Sequence, residues 1–551
     1  MSGIIQRESN RFDATYDNPW GGVASNADAA DIQPSQFIQG DGIFIKNGVL
    51  CAANWGNTIL YNFSAVANQH YWTGDRMKYI VLVKPNNAAW FLCAFDNNGH
   101  AWIYDGVSFV LDQTLGGGSF ITFSCFQVIG GVVYIFDWNV GKVYKYVPTI
   151  SYTVASNFVG GKYCMVVTNY LITCNTNMPS DNESAIKENR YNWSAPFAYS
   201  TWDPADAVLP RGAGYNTITS AQDQISGCFA MGNVGYILRT QGLSQLTPTG
   251  IGVQPFDLTD LWASQFGIGC TYPDSLSIYG SLAIWFNNNN GYAFFSGAMP
   301  QSVTGAAQKA IYSDINAYEL DGTTTTFVSG EFSNTSENSQ IPDLTYCLGI
   351  ISYGTNVPAG IQAIIWVLSV ENKSWVRHVF DIGDEITRVV GSTVANITIE
   401  TAKMIGVQEP RRLNLVTAES PRRIATSMLI SINGGAYSFL FSLYYNEKGT
   451  LSLSPAEKHL NVTCREEEIR LGIKPTVRGV LVKAAGKGTL KVSVSGRPFT
   501  DIVIDNTSTR VYRSFGEVSI ENPQLSINST DFDGYITKAH MNFTYAEGSP
   551  L

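Results

Sequence analysis

The sequence is poor in charge and has no long apolar run. Charged residues make up 15% of its 551 residues, whereas a soluble domain carries about 25%. No window of about 18 uninterrupted apolar residues occurs, so we expect no membrane span. The opening residues lack a basic stretch followed by an apolar one, so we expect no secretion signal and synthesis in a cytoplasm. Low charge suits a protein whose surface is partly covered by neighbours.

The nine cysteines lack the spacing of a metal site or a disulfide framework. They are odd in number, widely spread and without Cys-x-x-Cys, and most lie in apolar runs. We expect buried, reduced thiols rather than disulfides or zinc ligands. They are Cys51, Cys93, Cys125, Cys164, Cys174, Cys228, Cys270, Cys347 and Cys464.

Catalytic patterns are also scarce. The five histidines have neither His-x-His nor His-Glu-x-x-His spacing, and we expect structural roles for them: His70, His100, His378, His459 and His540. The carboxylate pairs Asp203/Asp206, Asp257/Asp260 and Asp381/Asp384 could serve a glycosidase, but nothing singles one pair out. The sequence therefore predicts no catalytic, cofactor-binding or metal-binding residue, no cofactor, and a protein that is not an enzyme.

Two short segments imitate ligand-binding loops. Lys483 to Thr489 has the lysine and glycines of a phosphate-binding loop at the wrong spacing, and we expect a hairpin turn there. Asp531-Phe-Asp-Gly534 starts like a calcium loop but lacks the later ligands and the closing glutamate. Neither segment changes the prediction of a non-enzymatic protein.

Aromatic residues and glycine are abundant, at 12% aromatic and 51 Gly. Aromatic residues favour pleated strands, and glycine supplies the positive φ of tight hairpins. Aromatic runs flank Asn, Asp or Gly turns centred near residues 56, 98, 139, 240, 289 and 372, with gaps near 40 to 50 residues or twice that. This period predicts an all-β fold with a β-propeller of six to eight blades. A stack of β-sandwiches is the alternative.

The charge pattern changes near residue 400. Residues 1–400 hold 17 Lys and Arg against 31 Asp and Glu, while 401–551 hold 18 against 14. Strands in the later part alternate polar and apolar residues, which is typical of a sheet with one solvated face. We therefore predict an N-terminal extended segment over 1–34, a β-propeller over 35–398 and a C-terminal β-sandwich-like domain over 399–551.

Two segments resemble a known family. One is Trp20-Gly-Gly-Val followed by 31–50, and the other is Arg190-Tyr-Asn-Trp-Ser-Ala-Pro196 followed by Ser200-Thr-Trp-Asp-Pro204. They resemble the tail nozzle, or packaged-DNA stabilisation, proteins of short-tailed bacteriophages. The resemblance covers about residues 15–390, and no resemblance is found for the last 150 residues.

The resemblance implies a virion structural protein of the phage tail. It implies a homo-oligomeric ring, of six subunits, placed below the portal and adaptor proteins. Such a ring continues the DNA channel, retains the packaged genome until ejection and docks tail fibres or a needle. Double-stranded DNA would pass through without tight binding.

Two other functions stay open from the sequence. One is a carbohydrate-binding or depolymerising receptor-binding protein, and the other is a cellular propeller scaffold. For a DNA channel we expect a net negative propeller or inner ring surface, with Arg411-Arg412 and Arg422-Arg423 facing a neighbouring protein or solvent. A purely solubilising role for the negative charge is the alternative.

Overall fold

The structure is a computed structural model. It describes residues 11–17, 22–24, 36–41, 43–46, 49–52, 54–62, 77–83, 91–96, 99–104, 109–115, 123–138, 141–154, 159–177, 186–202, 212–219, 223–252, 254–262, 266–318, 323–334, 344–357, 360–380, 382, 397–406, 424–434, 437–446, 460–466, 475–520 and 522–544.

Six short strands come first along the chain. They are β1 (Arg11–Asp17), β2 (Gly22–Val23), β3 (Gln36–Asp41), β4 (Ile43–Lys46), β5 (Val49–Ala52) and β6 (Asn54–Asn62). They do not form a unit of their own, because their partners are mostly strands of the last 180 residues.

Five antiparallel four-stranded meanders follow, each a separate sheet. Blade 1 is β7 (Met77–Val83), β8 (Phe91–Asp96), β9 (His100–Tyr104) and β10 (Phe109–Thr114). Blade 2 is β11 (Phe123–Ile129), β12 (Val132–Asp137), β13 (Lys142–Val147) and β14 (Ser151–Val154). Blade 3 is β15 (Gly160–Val167), β16 (Tyr170–Asn177), β17 (Ile186–Trp193) and β18 (Gly214–Thr217). Blade 4 is β19 (Ile225–Met231), β20 (Val234–Arg239), β21 (Leu243–Ile251) and β22 (Gln254–Trp262). Blade 5 is β23 (Tyr272–Tyr279), β24 (Leu282–Phe286), β25 (Gly291–Phe295) and β26 (Gln301–Ser302).

The next meander opens a larger sheet, and the last blade joins distant parts of the chain. Blade 6 is β27 (Thr325–Asn334), β28 (Leu344–Tyr353), β29 (Ile361–Ser369) and β30 (Ser374–Phe380). Blade 7 is a sixth separate sheet of β31 (Ile397–Gly406), β32 (Ile424–Gly434), β33 (Tyr437–Asn446) and, antiparallel to β33, β6. An early strand thus completes a late blade.

The first strands of the blades contact one another in sequence order, and β31 returns to contact β7. This closed cycle makes the molecule a β-propeller, and the predicted range of six to eight blades is confirmed. Apolar clusters fill the spaces between successive blades, for example Phe95 with Tyr146 between blades 1 and 2, and Phe229 with Trp285 between blades 4 and 5. Fully burying one such side chain contributes about 1.5–3 kcal/mol.

A second β-unit is a curled sheet that continues from blade 6 through β3. Its other strands are β34 (Leu460–Glu466), β35 (Thr476–Val494), β36 (Arg497–Pro498), β37 (Ile502–Ser519), β38 (Gln524–Ser529) and β39 (Asp533–Thr544). β1 and β5 pair with β39, and β3 pairs with β34. The division at 1–34, 35–398 and 399–551 stays a prediction, but the strand pairing groups the chain differently. Residues 397–446 pair with 54–62, and 460–544 pair with 11–52.

The structure describes one α-helix, α1 (Gln308–Ile315), after a short 3-10 turn at Gly305–Ala307. The Asp314 carboxylate fixes it to blade 6. Arg377 donates to both carboxylate oxygens, at 2.8 and 3.0 Å, and the Trp366 indole donates at 2.8 Å. A bidentate charge-assisted pair of this kind sets orientation as well as distance.

Most predicted hairpins are confirmed. Strands flank the turns near 98, 139, 240, 289 and 372. A hairpin also joins 170–174 to 191–193, with Cys174 opposite Tyr191 and Ile172 opposite Trp193.

Two local predictions are wrong. The run from Val49 to Phe63 is not a hairpin, since β5 pairs with β4 and β39 whereas β6 pairs with β33. The segment from Lys483 to Thr489 is not a turn, since it continues β35 with an irregularity between Ala484 and Gly486. In both cases a distant strand decides the structure.

Candidate functional site

The turns of successive blades gather at one end of the propeller. Consecutive strands of a meander run in opposite directions, so the turn after the first strand and the turn after the third lie at the same end. Each blade begins on its inner strand, beside the inner strand of its neighbour. The same end of every blade therefore carries these turns.

Large apolar side chains stand exposed at this end. Ile150 is 70% exposed, Phe197 73% and Ile251 60%, each at the connection between the third and fourth strands of its blade. Phe295 and Met299 occupy the same position in blade 5 and are about half exposed. We call these five residues, from blades 2 to 5, the apolar turn face.

Phe197 is held outward by its backbone. Its φ is 59°, a region that costs a bulky residue energy. The loop is fixed by the N–H groups of Phe197, Ala195 and Thr201, which donate to Asn169 at 2.9 Å, Thr201 at 2.8 Å and Ala198 at 2.9 Å. An aromatic side chain that is both strained and exposed points to a contact function.

The Ile150 turn is also rigid. Thr149 has a φ of 64°, and its N–H donates to Asp112 of blade 1 at 3.0 Å. The same carboxylate oxygen accepts from the Tyr146 hydroxyl at 2.7 Å. Asp112 therefore ties blade 1 to blade 2 and fixes the turn that carries Ile150.

Blade 5 contributes an aromatic row at this end. Tyr279, Leu282 and Phe295 lie directly opposite one another on β23, β24 and β25, so their side chains share a face. Leu282 is buried between the two partly exposed rings. The Ser296 hydroxyl lies 3.0 Å from the Tyr236 hydroxyl of blade 4, which joins the two blades beside this row.

The described turns at this end of blades 2 to 5 carry no lysine, arginine, aspartate or glutamate. They comprise 130–131, 148–150, 168–169, 194–201, 232–233, 250–252, 280–281 and 296–300. An apolar surface without charge is what the buried centre of a protein interface requires, since charged residues are depleted there.

The opposite end of blade 5 holds a polar cleft of about 300 Å³, lined by Asn288, Asn289, Gln308, Lys309 and Tyr312. The Tyr312 hydroxyl and the Gln308 amide donate to the backbone oxygens of Asn287 and Asn289, both at 2.6 Å. Burial is the main cause that raises the pKa of Tyr312, so its hydroxyl stays neutral. The cleft can offer amide and hydroxyl groups to a polar ligand.

The residues weighed from the sequence do not converge. His100 is buried beside Trp102, and His378 is buried 4.5 Å from the Phe380 ring centre. Asp257 and Asp260 share strand β22, where Asp260 binds Arg239 at 3.4 Å. His540 lies on β39. His70, His459, Asp203, Asp206, Asp381 and Asp384 lie outside the described residues, as do Arg411-Arg412 and Arg422-Arg423.

The calcium-like segment is a hydrogen-bonded turn. The Asp531 carboxylate accepts from the Thr489 N–H at 3.0 Å and the Ser529 hydroxyl at 3.1 Å. The Thr489 hydrogen bond is the main cause that lowers the pKa of Asp531. Over the described part of the chain, no three His, Cys, Asp or Glu side chains form a group that could hold a metal ion.

The segment that resembles the phage proteins lies between blades. Trp193 contacts Phe256 of blade 4, and Trp202 lies edge-on to Phe136 of blade 2 at 6.0 Å. Ser194 accepts the Leu171 N–H at 3.0 Å. These residues pack between the blades of the propeller. Phe197, which directly follows Pro196 at the end of the motif, belongs to the apolar turn face.

Sequence reasoning missed the apolar turn face. The signal was a large apolar residue inside a turn of glycine, proline and threonine, as in Pro148-Thr-Ile150 and Thr249-Gly-Ile-Gly252. Such turns favour small or polar residues, so an isoleucine there needs a partner.

Eight of the nine cysteines have side chains that the structure describes, and all eight are free thiols. Cys125, in β11, donates to the Gly161 oxygen at 3.2 Å. No helix among the described segments is long and apolar enough to cross a membrane.

No protein-family model and no curated protein matches the chain. Among solved structures it is similar to BBS1N in complex with ARL6DN, at 9% identity, TM-score 0.36, and coverage of 71% of this chain and 97% of that one. It is also similar to the AfRom2 CNH domain, at 9% identity, TM-score 0.34, and coverage of 70% and 98%. An exo-beta-1,3-galactanase from Phanerochaete chrysosporium matches at 10% identity and TM-score 0.24, with coverage of 77% and 97%. Likenesses this distant carry no functional argument.

Proposed function

We propose that this chain is a structural subunit of a phage tail nozzle or hub. It acts by assembly: a homo-oligomeric ring of six copies continues the DNA channel in the virion tail, retains the packaged genome and docks neighbouring tail proteins. The resemblance of 20–50 and 190–204 names the family. The role involves no catalytic step, no cofactor and no membrane span.

One observation carries the assembly role: the apolar turn face, exposed on four successive blades at turns whose described residues carry no charge. Single exposed apolar residues are ordinary, but a row of them on rigid turns marks an interaction surface. We assign this face to a tail protein of a different kind, namely the portal or adaptor, or a fibre or needle protein.

The test is particle assembly with a triple variant, Ile150→Ser, Phe197→Ser and Ile251→Ser. These side chains are exposed, so the purified variant should keep its circular dichroism and thermal midpoint. Virions that carry it should lose one neighbouring tail component, and infectious titre should fall by at least about tenfold, as expected when hot-spot side chains are removed.

A control places one isoleucine and one phenylalanine substitution of the same kind at the opposite end. Ile186 and Phe266 are also exposed, at the start of β17 and in the connection to blade 5. Ile186→Ser with Phe266→Ser should leave the titre unchanged. A complete tail in the turn-face variant would rule out docking there, and particles in which the chain does not form a ring would reject the nozzle role itself.

The polar cleft favours a second candidate, a carbohydrate-binding receptor protein. Its lining of three amide side chains, one lysine and one tyrosine suits saccharide hydroxyls. A binding screen against host surface saccharides, with Asn288→Ala and Gln308→Ala as variants, tests it. Binding that both substitutions weaken would favour this function, and a saccharide-degradation assay would separate binding from depolymerisation.

A further inference from the structure

Two long strands, β35 (Thr476–Val494) and β37 (Ile502–Ser519), lie at one edge of the curled sheet, and we call them and their connection the ribbon. β35 is covered on its other edge by β38 and β39. β37 pairs with no second described strand. On its outer edge, the Thr500 N–H donates to the Phe515 oxygen at 2.9 Å. An edge strand of this length is a potential docking site.

One face of this ribbon alternates basic and apolar side chains. Val511 lies opposite Lys483, and Arg513 lies opposite Leu481, so the four side chains share a face, which Phe515 extends. Val511 and Phe515 are each 61% exposed, and Val503 further along β37 is 71% exposed. We call Leu481, Lys483, Val511, Arg513 and Phe515 the ribbon face.

The ribbon also differs in charge from the rest of the molecule. Residues 476–519 hold 7 Lys and Arg against 3 Asp and Glu, a net of +4, while the whole chain has a net of −10. The remainder therefore carries −14. The ribbon is therefore a segment of net positive charge in a negative chain, and it also exposes apolar side chains.

We propose that the ribbon face binds the acidic surface of a second copy of this chain and forms the contact between adjacent ring subunits. Charge complementarity selects a copy of the chain, because each copy supplies one basic ribbon and an acidic remainder. A heterologous contact of this kind, repeated around an axis, closes a ring. This inference rests on the proposed ring function and names the surface that builds the ring.

A protein partner fits this face better than a nucleic acid does. Phosphates would pair with Lys483 and Arg513 but would leave Val511 and Phe515 exposed to water. Protein interfaces bury aromatic residues and arginine together. The open edge of β37 can also add a partner strand through main-chain hydrogen bonds.

Self-association of the full-length chain tests the inference. Sedimentation velocity at increasing concentration should show oligomers that weaken at high salt, because opposite charges meet at the contact. Lys483→Glu with Arg513→Glu should raise the dissociation constant at least about tenfold, and Val511→Ser with Phe515→Ser should act in the same direction. Matched controls on the propeller, Lys373→Glu and Ile150→Ser, should have no effect.

A photo-crosslinking residue in place of Val511, in assembled particles, identifies the partner. Crosslinks to the propeller of a second copy are expected. Crosslinks to DNA or to another tail protein would overturn the inference. Rings that persist in both ribbon variants would overturn the ribbon contact while the ring function stands, whereas a chain found singly in particles would reject the ring function.

Discussion

Arg239 is the most deeply buried cation that the structure describes with ion-pair partners. Its side chain is 1% exposed and lies 3.2 Å from Asp223 and 3.4 Å from Asp260. A buried charge is tolerated only when it is paired. The intact ion pairs therefore add little to stability, but the loss of either carboxylate would be strongly destabilising, because it would leave the buried guanidinium incompletely paired. The network links the start of blade 4 to its outer strand.

Asp223→Ala should therefore destabilise the protein by about 3 kcal/mol, because it leaves the buried guanidinium with one partner. It also removes the acceptor of the Gln241 N–H. The urea midpoint of the full chain measures the loss. Asp257→Ala, on the exposed face of β22, is the control and should change stability by less than about 0.5 kcal/mol. Equal effects of the two substitutions would contradict this account.

Buried weak acids predict a loss of stability at alkaline pH. Burial, with smaller effects of Asp137 and Tyr152, raises the pKa of Tyr144 from 10.0 to about 12. Burial raises the pKa of Cys270 from 9.0 to about 12. Between these values the unfolded chain has released protons that the folded chain keeps, so stability falls as pH rises from about 9 toward 12.

Thermal midpoints measured from about pH 8 to about pH 11 check this expectation, since both groups start to titrate in the unfolded state in that range. Tyr144→Phe should make the decline shallower, because phenylalanine has no proton to release. A decline that Tyr144→Phe does not alter would assign the alkaline loss to other groups.

At the scale of elements, local signals predicted local structure. The Gly130-Gly131 turn illustrates this, since both residues have positive φ, at 56° and 79°, and join Ile129 to its direct partner Val132. The aromatic and apolar periodicity placed five hairpins correctly. Where the partner is distant, the same reasoning failed: Trp55 follows β5 closely but pairs with Tyr445. Only the tertiary fold specifies that pairing.

The candidate site could not be predicted from the sequence, for a related reason. Ile150, Phe197 and Ile251 are about 50 residues apart in the chain, and only the ring of blades brings them to one end. Their turns were recognisable, but not the fact that they share a face. The same holds for Lys483, Val511 and Arg513, whose common face depends on the register of the ribbon.

Blade 7 depends on β6, and this predicts the effect of truncation. A chain that begins at residue 64 lacks β6 and the strands β1 to β5, so β33 loses its outer partner and the curled sheet loses its N-terminal strands. We expect cooperative thermal unfolding to be lost and cleavage by proteases within 397–446. A chain that begins at Arg11 keeps every described strand and is the control. Cooperative unfolding of the shorter chain would show that the closed cycle of seven blades does not need β6.

At the scale of the whole molecule, charge determines how a ring of these chains meets DNA. Each copy adds a net charge of −10 to the assembly. Phosphate contacts by lysine and arginine release counterions and bind DNA tightly at low salt, which would hold back a moving genome. An acidic or neutral channel repels phosphates over about 10 Å at 0.1 M salt and leaves the duplex free to slide.

We therefore predict that the full-length protein binds duplex DNA weakly even at low salt, because its net charge is −10 and the second copy covers the basic ribbon. A fluorescence anisotropy titration at several salt concentrations measures this. The variant Lys483→Glu with Arg513→Glu controls for binding through an uncovered ribbon, and it should remove whatever weak binding the wild-type protein shows. Tight binding that depends steeply on salt and is unchanged in that variant would contradict the prediction. It would show that this chain binds the genome directly through other residues.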